Sequence, residues 1–206
     1  MVSANLVADP VRPGASAIRS VSGPTRLRLA DLLHVTDRSA DEVLSGKYDH
    51  LVPTGGVPTA DGWFARLYND DEVDIWLISW VPGQSTELHD HGGSLGALTL
   101  LSGSLDEFRW DGERLRLRRL EAGDQAGFPL GWVHDVVWAP PRPAPAVTPV
   151  TASAVPRVTL PAALQGPTLS VHAYSPPLTV KSYYEVTDQQ TLRRTHTELT
   201  DQPEKQ

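Results

Sequence analysis

Hydrophobic positions follow a helical spacing between residues 26 and 46. Leucine and valine recur every three or four residues, as on one face of an amphipathic helix; these positions are Leu29, Leu32, Leu33, Val43 and Leu44. Ser39 and Glu42 have the spacing of a capping box, and Gly46 is placed to end a helix. The segment therefore predicts one or two short helices.

From Asp61 onward the pattern changes to short runs of β-branched and aromatic residues separated by turn-forming residues. The runs are WFARLY, VDIWLISW, LGALTLLSGSLDEFRW, ERLRLRRL, VHDVVW and LSVHAYSPP. The segment FRWDGERLRL predicts a hairpin about Asp111–Gly112. Strands at this regular spacing, without intervening helices, indicate an all-β antiparallel sandwich or barrel.

Other segments interrupt or flank this β-region. Residues 1–25 are rich in Pro, Gly and Ser and predict a flexible N-terminal arm. Residues 139–167 contain repeated prolines, which cannot donate to a β-ladder, and predict a long surface insertion. Residues 191–206 are polar and predict a frayed C-terminal tail. We therefore expect a single domain over residues 26–190.

The composition of the chain limits the classes of partner and the cellular compartment that we expect for it. The 206 residues carry a formal net charge of −7, which disfavours binding to nucleic acid or to an anionic membrane surface. No apolar run reaches the ~18 residues of a membrane-spanning helix, and the N-terminus lacks the basic start and apolar core of a signal peptide. We expect a cytoplasmic protein. Because the chain has no cysteine, any metal must be bound by His, Asp or Glu.

The segment GQSTELHDHGGSLGALTLLSG carries two histidines two positions apart. Alternate residues of a strand lie on one face, so His89 and His91 can bind one metal while Asp90 points away. An isolated pair of this kind is more often two surface histidines beside a turn. The residues around the pair therefore decide between the two interpretations.

Two patterns around these histidines resemble the sequence motifs of the cupin superfamily. The first spans residues 83–103, with glycine at both ends and the histidine pair inside. The second begins with glycine at residue 123 and continues through Pro-x-Gly to His134. The resemblance implies a jelly-roll barrel with a metal inside it, bound by His89, His91 and His134.

Two residues depart from the common cupin pattern. Gly96 stands where a glutamate is usual, and Trp138 stands where an asparagine often closes the second motif. Three neutral imidazoles leave the charge of a divalent cation uncompensated and leave coordination positions open for anionic ligands. Imidazole suits zinc, iron, copper and nickel alike, so the spacing does not name the metal. An alternative is a degenerate barrel that lacks the glutamate because it no longer catalyses a reaction.

A second polar constellation lies in LSVHAYSPP, where Ser170, His172 and Tyr174 share one face of a strand. Such a face is usually solvated. This segment, however, resembles the cysteine dioxygenases, which are cupins of the thiol dioxygenase family with three histidines and no glutamate. The resemblance covers roughly residues 60–186 without the insertion, and glycine at position 96 is typical of bacterial members.

The resemblance to this family implies the roles of the site residues. Fe(II) would be bound by the three histidines. Ser170, His172 and Tyr174 would be the catalytic residues, forming a hydrogen-bonded line that ends at the iron. The Ser175–Pro176 bond would be cis, a form that X–Pro bonds tolerate at low cost.

The resemblance also implies the substrates. Arg66 would bind the substrate carboxylate in a bidentate contact, with Tyr174 beside it. L-cysteine and O₂ would give cysteine sulfinic acid. One alternative is a dioxygenase of 3-mercaptopropionate, although that family usually has glutamine at the arginine position. Another is a non-catalytic cupin that binds a metal or a small molecule. The sequence leaves the oligomeric state open, a monomer included.

Overall fold

The structure is a computed structural model that describes residues 26–141, 164 and 166–203. The predicted N-terminal arm and most of the proline-rich insertion lie outside the described residues. Within the described part, helix α1 (Leu29–Leu44) and a 3₁₀ turn (Asp49–Leu51) precede eleven strands. The strands are β1 (Trp63–Asn69), β2 (Asp74–Trp80), β3 (His89–Asp90), β4 (Leu95–Ser102), β5 (Ser104–Trp110), β6 (Leu115–Glu121), β7 (Gln125–Phe128), β8 (His134–Trp138), β9 (Thr168–Ser175), β10 (Val180–Val186) and β11 (Leu192–Leu199).

The strands form two antiparallel sheets that face each other. The first sheet has the order β1-β2-β9-β4-β7, and the second has the order β11-β10-β3-β8-β5-β6. Trp76, Ile78 and Trp80 of the first sheet share one buried cluster with Leu105 and Val136 of the second. The faces that meet in this cluster are called the inner faces below. The predicted all-β cupin barrel with a short helical segment at its N-terminal end is confirmed.

Strand β2 is buried on both faces because α1 covers the outer face of its sheet. Ile75 and Leu77 alternate with the inner residues and belong to a second cluster that includes Leu32 and Val43 of the helix. Burial of one such aliphatic side chain contributes about 1.5–3 kcal/mol. The helix is thus an integral layer of the domain.

The structure corrects one detail of the predicted helical segment and confirms another. A single helix begins after Arg28, and no side chain caps it. Ser39 lies inside the helix and is buried, so the predicted capping box with Glu42 is wrong. The helix ends where predicted: Gly46 has a φ of +84°, which glycine adopts without strain, and its N–H donates to Val43.

The hairpin predicted about Asp111–Gly112 is confirmed. Strands β5 and β6 pair from Ser104↔Glu121 to Trp110↔Leu115. The Asp111 carboxylate accepts hydrogen bonds from the backbone N–H groups of Glu113 and Arg114. The side chain therefore fixes the turn that sets the register of both strands.

The C-terminal segment differs from the prediction. Residues 192–199 form β11, which pairs along its length with β10, so a tail frayed from residue 191 is wrong. The side chains of LRRTHTEL are mostly exposed, and the strand is held by its backbone ladder. Hydrophobic alternation cannot reveal such an edge strand. Among the described residues, no helix combines the length and apolarity needed to cross a membrane.

Candidate metal centre

The three predicted histidines meet on the inner face of the second sheet. His89 of β3 pairs directly with His134 of β8, and His91 follows β3 on the same face. Their ligand nitrogens all lie within 4.8 Å of one another, and all three side chains are buried. The Nε2 atoms of His89 and His91 are 3.2 Å apart. Two nitrogens bound to one ion at ~2.1 Å would be separated by about 3.0–3.4 Å, so this geometry fits a shared metal.

A backbone carbonyl orients the ring of His89, and a buried carboxylate lies near the ring of His134. His89 Nδ1 lies 2.9 Å from the carbonyl of Glu87 and must donate to it, which leaves the Nε2 lone pair for a metal. Glu87 adopts a φ of +60°, uncommon for a non-glycine residue. His134 Nδ1 lies 3.5 Å from the buried carboxylate of Glu107, too far for a strong hydrogen bond. Sequence reasoning did not single out either acidic residue.

The protonation of the site favours metal binding. Burial lowers the pKa of His89 and of His91 well below the ordinary value, and neighbouring positive charges, Lys181 among them, lower both further. Neutral imidazole is the form that binds a metal. His134 Nε2 is buried without a hydrogen-bond partner. Such an orphaned atom requires an explanation, and a metal ion at this point would satisfy it.

Gly96 of β4 explains why this centre has no carboxylate. A Cβ atom at position 96 would lie 2.9 Å from Phe128 Cδ2 and 3.1 Å from His91 Cε1 and Nδ1. Phe128 itself packs against the rings of His91 and His134, with centroid distances of 5.7 and 4.1 Å. The space next to the histidines is therefore filled by an aromatic ring, and a side chain at position 96 would displace it.

Asp135 ties the segment before His89 to the strand that carries His134. Its carboxylate accepts hydrogen bonds from the Ser85 hydroxyl at 2.9 Å and from the Thr86 backbone N–H at 3.0 Å. The two histidine-bearing segments are thus connected by polar contacts on the outer side of the sheet as well as by the ladder.

The predicted polar line on β9 is only partly formed. His172 Nδ1 lies 3.3 Å from the Tyr174 hydroxyl, and the Tyr174 ring lies 5.0 Å from that of His91. The Ser170 hydroxyl instead accepts a hydrogen bond of 2.8 Å from the Trp80 indole. His172 Nε2 is buried without a hydrogen-bond partner. The expected contact between Ser170 and His172 is therefore wrong, since the serine hydroxyl is hydrogen-bonded to Trp80 and His172 Nε2 receives no hydrogen bond. The Ser175–Pro176 peptide is cis, as expected.

Arg66 lies on the inner face of edge strand β1. It pairs across the ladder with Trp76, which in turn pairs with His172. The guanidinium stacks over the Trp76 ring at 4.3 Å. Its Nε is 3.3 Å from the Asp74 carboxylate, and an Nη donates to the Asp201 carbonyl at 2.9 Å. Arg66 is thus held at the rim of the barrel rather than against the histidines.

Asp74 is a buried acid that sequence reasoning missed. Its side chain is 1% exposed and shares the inner face of β2 with Trp76. Burial raises the pKa of its carboxyl, while the charge of Arg66 acts in the opposite direction. A charged residue within the otherwise apolar run VDIWLISW was the available signal. Asp74 positions the arginine.

The sequence comparisons point to one family. Residues 65–127 match the family described as cysteine dioxygenase type I. The resemblance to the cysteine dioxygenases is confirmed. The matched segment runs from the strand of Arg66 through the histidine pair to β7, and over this part, less than half of the chain, the sequence is similar to that family. The three-histidine group described above is able to hold a metal. The comparison with curated proteins gives no match.

Solved structures with some similarity to this chain include proteins described as cupins or as having a double-stranded β-helix domain. A protein with a double-stranded β-helix domain from Klebsiella pneumoniae is 18% identical, with 62% of this chain and 85% of that chain covered and a TM-score of 0.41. A cupin-like protein from Thermotoga maritima is 19% identical, with coverage of 64% and 83% and a TM-score of 0.41. The cupin domain of Schizosaccharomyces pombe Cnp3 is 8% identical, with coverage of 60% and 67% and a TM-score of 0.41. The assignment of the fold rests on the sheet topology described above.

Proposed function

We propose that this protein is an iron-dependent thiol dioxygenase that oxidises L-cysteine with O₂ to cysteine sulfinic acid. The observation that carries the proposal is a buried centre of three histidines without a carboxylate, beside Tyr174, in a chain that matches the cysteine dioxygenases. We further propose that it acts in the cytoplasm and that its partners are a small thiol and dioxygen. The reaction RS⁻ + O₂ → RSO₂⁻ balances without a reductant.

His89, His91 and His134 would hold the metal. Iron(II) bound there would supply the redox chemistry that allows O₂ to react with a thiolate. The donor set fits because three neutral nitrogens leave open positions and leave the positive charge of the ion uncompensated. Both properties favour an anionic substrate that binds through more than one atom.

The side chains around the centre would bind and orient the substrate. The Tyr174 hydroxyl, held by His172, lies on the inner face beside His91 and can donate a hydrogen bond to a bound ligand. Arg66 can pair with a carboxylate, since its guanidinium is fixed by Asp74 and by stacking on Trp76. Phe128 covers the opposite side and keeps water from the space beside His91.

Oxygen consumption by iron-loaded protein tests the proposal. We expect uptake with L-cysteine and a product whose mass has increased by two oxygen atoms. His89→Ala, His91→Ala and His134→Ala should lose both tight iron binding and uptake, while the folded state persists in each. Exposed His50, replaced by Ala, is the matched control. Uptake that survives the loss of all three histidines would contradict the proposal.

The choice of thiol is tested at Arg66. If Arg66 pairs with the carboxylate, Arg66→Ala should reduce kcat/KM for cysteine about ten- to a hundredfold, as expected for a charge-assisted hydrogen bond. Arg66→Gln should narrow or reverse the preference for cysteine over 3-mercaptopropionate. A wild type that prefers 3-mercaptopropionate would favour that dioxygenase instead, and binding of a metal without oxidation of either thiol would favour a non-catalytic cupin.

A further inference from the structure

Strand β11 is an exposed edge of the second sheet. Among the described residues it pairs with β10 alone, and no described strand pairs with its other side. An edge of this kind presents backbone N–H and C=O groups that can pair with another strand. Residues 200–203 follow β11 at one opening of the barrel, where the Asp201 carbonyl accepts a hydrogen bond from Arg66. The edge is therefore eight residues long, accessible and anchored at its end.

A β-bulge makes the side-chain pattern of this edge symmetric. The ladder with β10 skips Thr195, which is an extra residue in β11. Arg193 and Glu198 pair with two residues of β10 that are four apart and share one face. Arg193 and Glu198 therefore share a face as well, although two residues five apart point to opposite faces in a regular strand. Leu192 and Leu199 share the other face for the same reason.

The two halves of β11 consequently complement each other. If β11 pairs antiparallel with a second copy of itself, with the two bulges facing each other, Arg193 lies opposite Glu198 and Leu192 lies opposite Leu199. Opposite charges and apolar side chains are favourable cross-strand pairs. Each pair occurs twice, because such an interface is two-fold symmetric.

The opposite edge of the same sheet does not have this property. Strand β6 carries three arginines within four positions, Arg116, Arg118 and Arg119. Pairing of β6 with its own copy about its middle would bring arginines opposite arginines, which is destabilising. Self-complementarity therefore distinguishes β11 from β6.

The neighbouring strand β10 extends the complementary charges. Glu185 accepts a hydrogen bond of 2.8 Å from the Nε of Arg193, and Lys181 lies opposite Glu198. Across two copies, each row of four strands would carry charges of alternating sign in the order Glu185, Arg193, Glu198 and Lys181.

The other face carries exposed apolar side chains. Leu199 is 86% exposed and Val186 is 38% exposed. Val186 lies opposite Leu192, and Val180 lies opposite Leu199. The same pairing of two copies would place these four side chains in one row and remove apolar surface from water.

We propose that the edge of β11 is the interface of a homodimer, in which two copies of the chain pair through β11 and join their six-stranded sheets into one. The occupant is a second copy because the strand complements itself in charge and in apolar side chains. This inference needs neither a metal nor a thiol substrate, so it stands or fails independently of the proposed function.

Sedimentation equilibrium of the 206-residue chain measures the association. Wild type should show twice the 22.4 kDa of one chain and should dissociate on dilution. Leu199→Asp should raise the Kd of the dimer about tenfold or more, because it places a carboxylate in both apolar rows. Leu117→Asp is the matched control and should leave the Kd unchanged, since Leu117 is an exposed leucine on the opposite edge strand.

A charge swap tests the register of the two strands. Arg193→Glu and Glu198→Arg should each dissociate the dimer, since each brings like charges opposite each other twice. An equimolar mixture of the two variants should dimerise again, because the heterodimer pairs glutamate with arginine at both contacts. No effect within a single chain produces this rescue. Leu199→Asp decides the outcome if Glu198→Arg, which places a cation opposite Lys181, does not fold.

Three results would overturn the inference. The first is a wild type that stays monomeric at the highest concentration reached. The second is a dimer that Leu199→Asp leaves intact, because its interface would then lie elsewhere. The third is a mixture of folded charge variants that remains monomeric, because the strands would then not pair in this register.

Discussion

At the scale of single residues, Gly96 sets the distance between β4 and the ring of His91. Phe128 occupies the space that a larger residue at position 96 would need, and its ring contacts those of His91 and His134. The Phe128 ring therefore packs in the space where the side chain of the usual glutamate would begin. A change at this glycine acts on the metal through the orientation of a ligand.

Gly96→Ala should weaken metal binding about tenfold or more, the size of effect seen when groups that orient a ligand are altered. The added methyl group would come within 3.1 Å of the His91 ring and 2.9 Å of Phe128. The Kd for Fe(II) or Co(II), measured by competition with a chromophoric chelator, checks this. Gly93→Ala is the matched control, because a Cβ atom there meets nothing within 4 Å. An unchanged Kd in Gly96→Ala would contradict this prediction, because β4 would then accommodate the methyl group without disturbing the His91 ring.

His172 should make the stability of the metal-free protein depend on pH. Burial, together with electrostatic repulsion from the nearby side chains of His134 and Lys181, lowers its pKa from 6.5 to about 3. Between these two values the unfolded chain binds a proton that the folded chain does not, so the free energy of unfolding falls as the pH falls. In that window the free energy of unfolding changes by about 1.4 kcal/mol per pH unit because of His172, and this pH dependence disappears above pH 6.5.

Denaturant unfolding of wild type and His172→Asn from pH 7 to pH 4 measures this contribution. The variant should lose stability less steeply below pH 6.5, since one titrating group is gone. The exposed His50, changed to Asn, serves as the matched control. Identical slopes for wild type and His172→Asn would mean that His172 is protonated in the folded protein as readily as in the unfolded one.

The residues that the sequence predicted well are those with a fixed spacing on one strand. Alternation along a strand predicts that His89 and His91 share one face and that His172 and Tyr174 share another. The second motif predicts the third histidine, His134. The contacts of Ser170 did not follow, because Trp80 reaches it from the neighbouring strand. Lys181 also escaped notice. Its charge acts on His89 and His91, and it is brought near them by a strand pairing that no local sequence pattern records.

At the scale of elements, strands with one or two buried faces were predictable and polar edge strands were not. Strands β2 and β9 are buried along their whole length, and their runs of β-branched and aromatic residues predicted them. Strand β11 is largely exposed and is recognised only through its ladder with β10. Yet β11 leads into residues 200–203, which bind Arg66 and Lys181. The elements that shape the opening are those with the weakest sequence signal.

Asp201→Asn tests this C-terminal segment. The Asp201 carboxylate lies 3.6 Å from the Arg66 guanidinium and is 81% exposed, so it competes weakly with a substrate carboxylate. Exposed ion pairs contribute about 0.2–1 kcal/mol, so KM for cysteine should fall by up to about fivefold, with kcat unchanged. Asp188→Asn, an equal change of charge in an exposed turn, is the control. A rise in KM would show that Asp201 holds Arg66 in place.

At the scale of the whole molecule, a long proline-rich insertion interrupts the chain that forms the barrel. The spacing predicted an antiparallel sandwich or barrel and the resemblance predicted the jelly roll, and β8 and β9 of this barrel are separated in the chain by the proline-rich insertion. Ala139 and Leu164, near the two ends of the insertion, are 1% exposed. Leu164 belongs with Leu32 to the cluster between α1 and the first sheet. The barrel therefore needs the ends of this segment, and residues 142–163 lack the alternating apolar pattern of a core strand.

Replacement of residues 142–163 by a short Gly/Ser linker should change the melting temperature little. Each doubling of loop length costs only about 0.6 kcal/mol in closure entropy, so shortening the loop should have a small effect of this order. The same replacement with Leu164→Ala is the matched comparison and should cost about 2–5 kcal/mol, since it empties a core position. Thermal unfolding and oxygen uptake are measured on both. A large fall in melting temperature with Leu164 intact would mean that the insertion packs against the barrel, and loss of uptake at unchanged stability would mean that it forms part of the site.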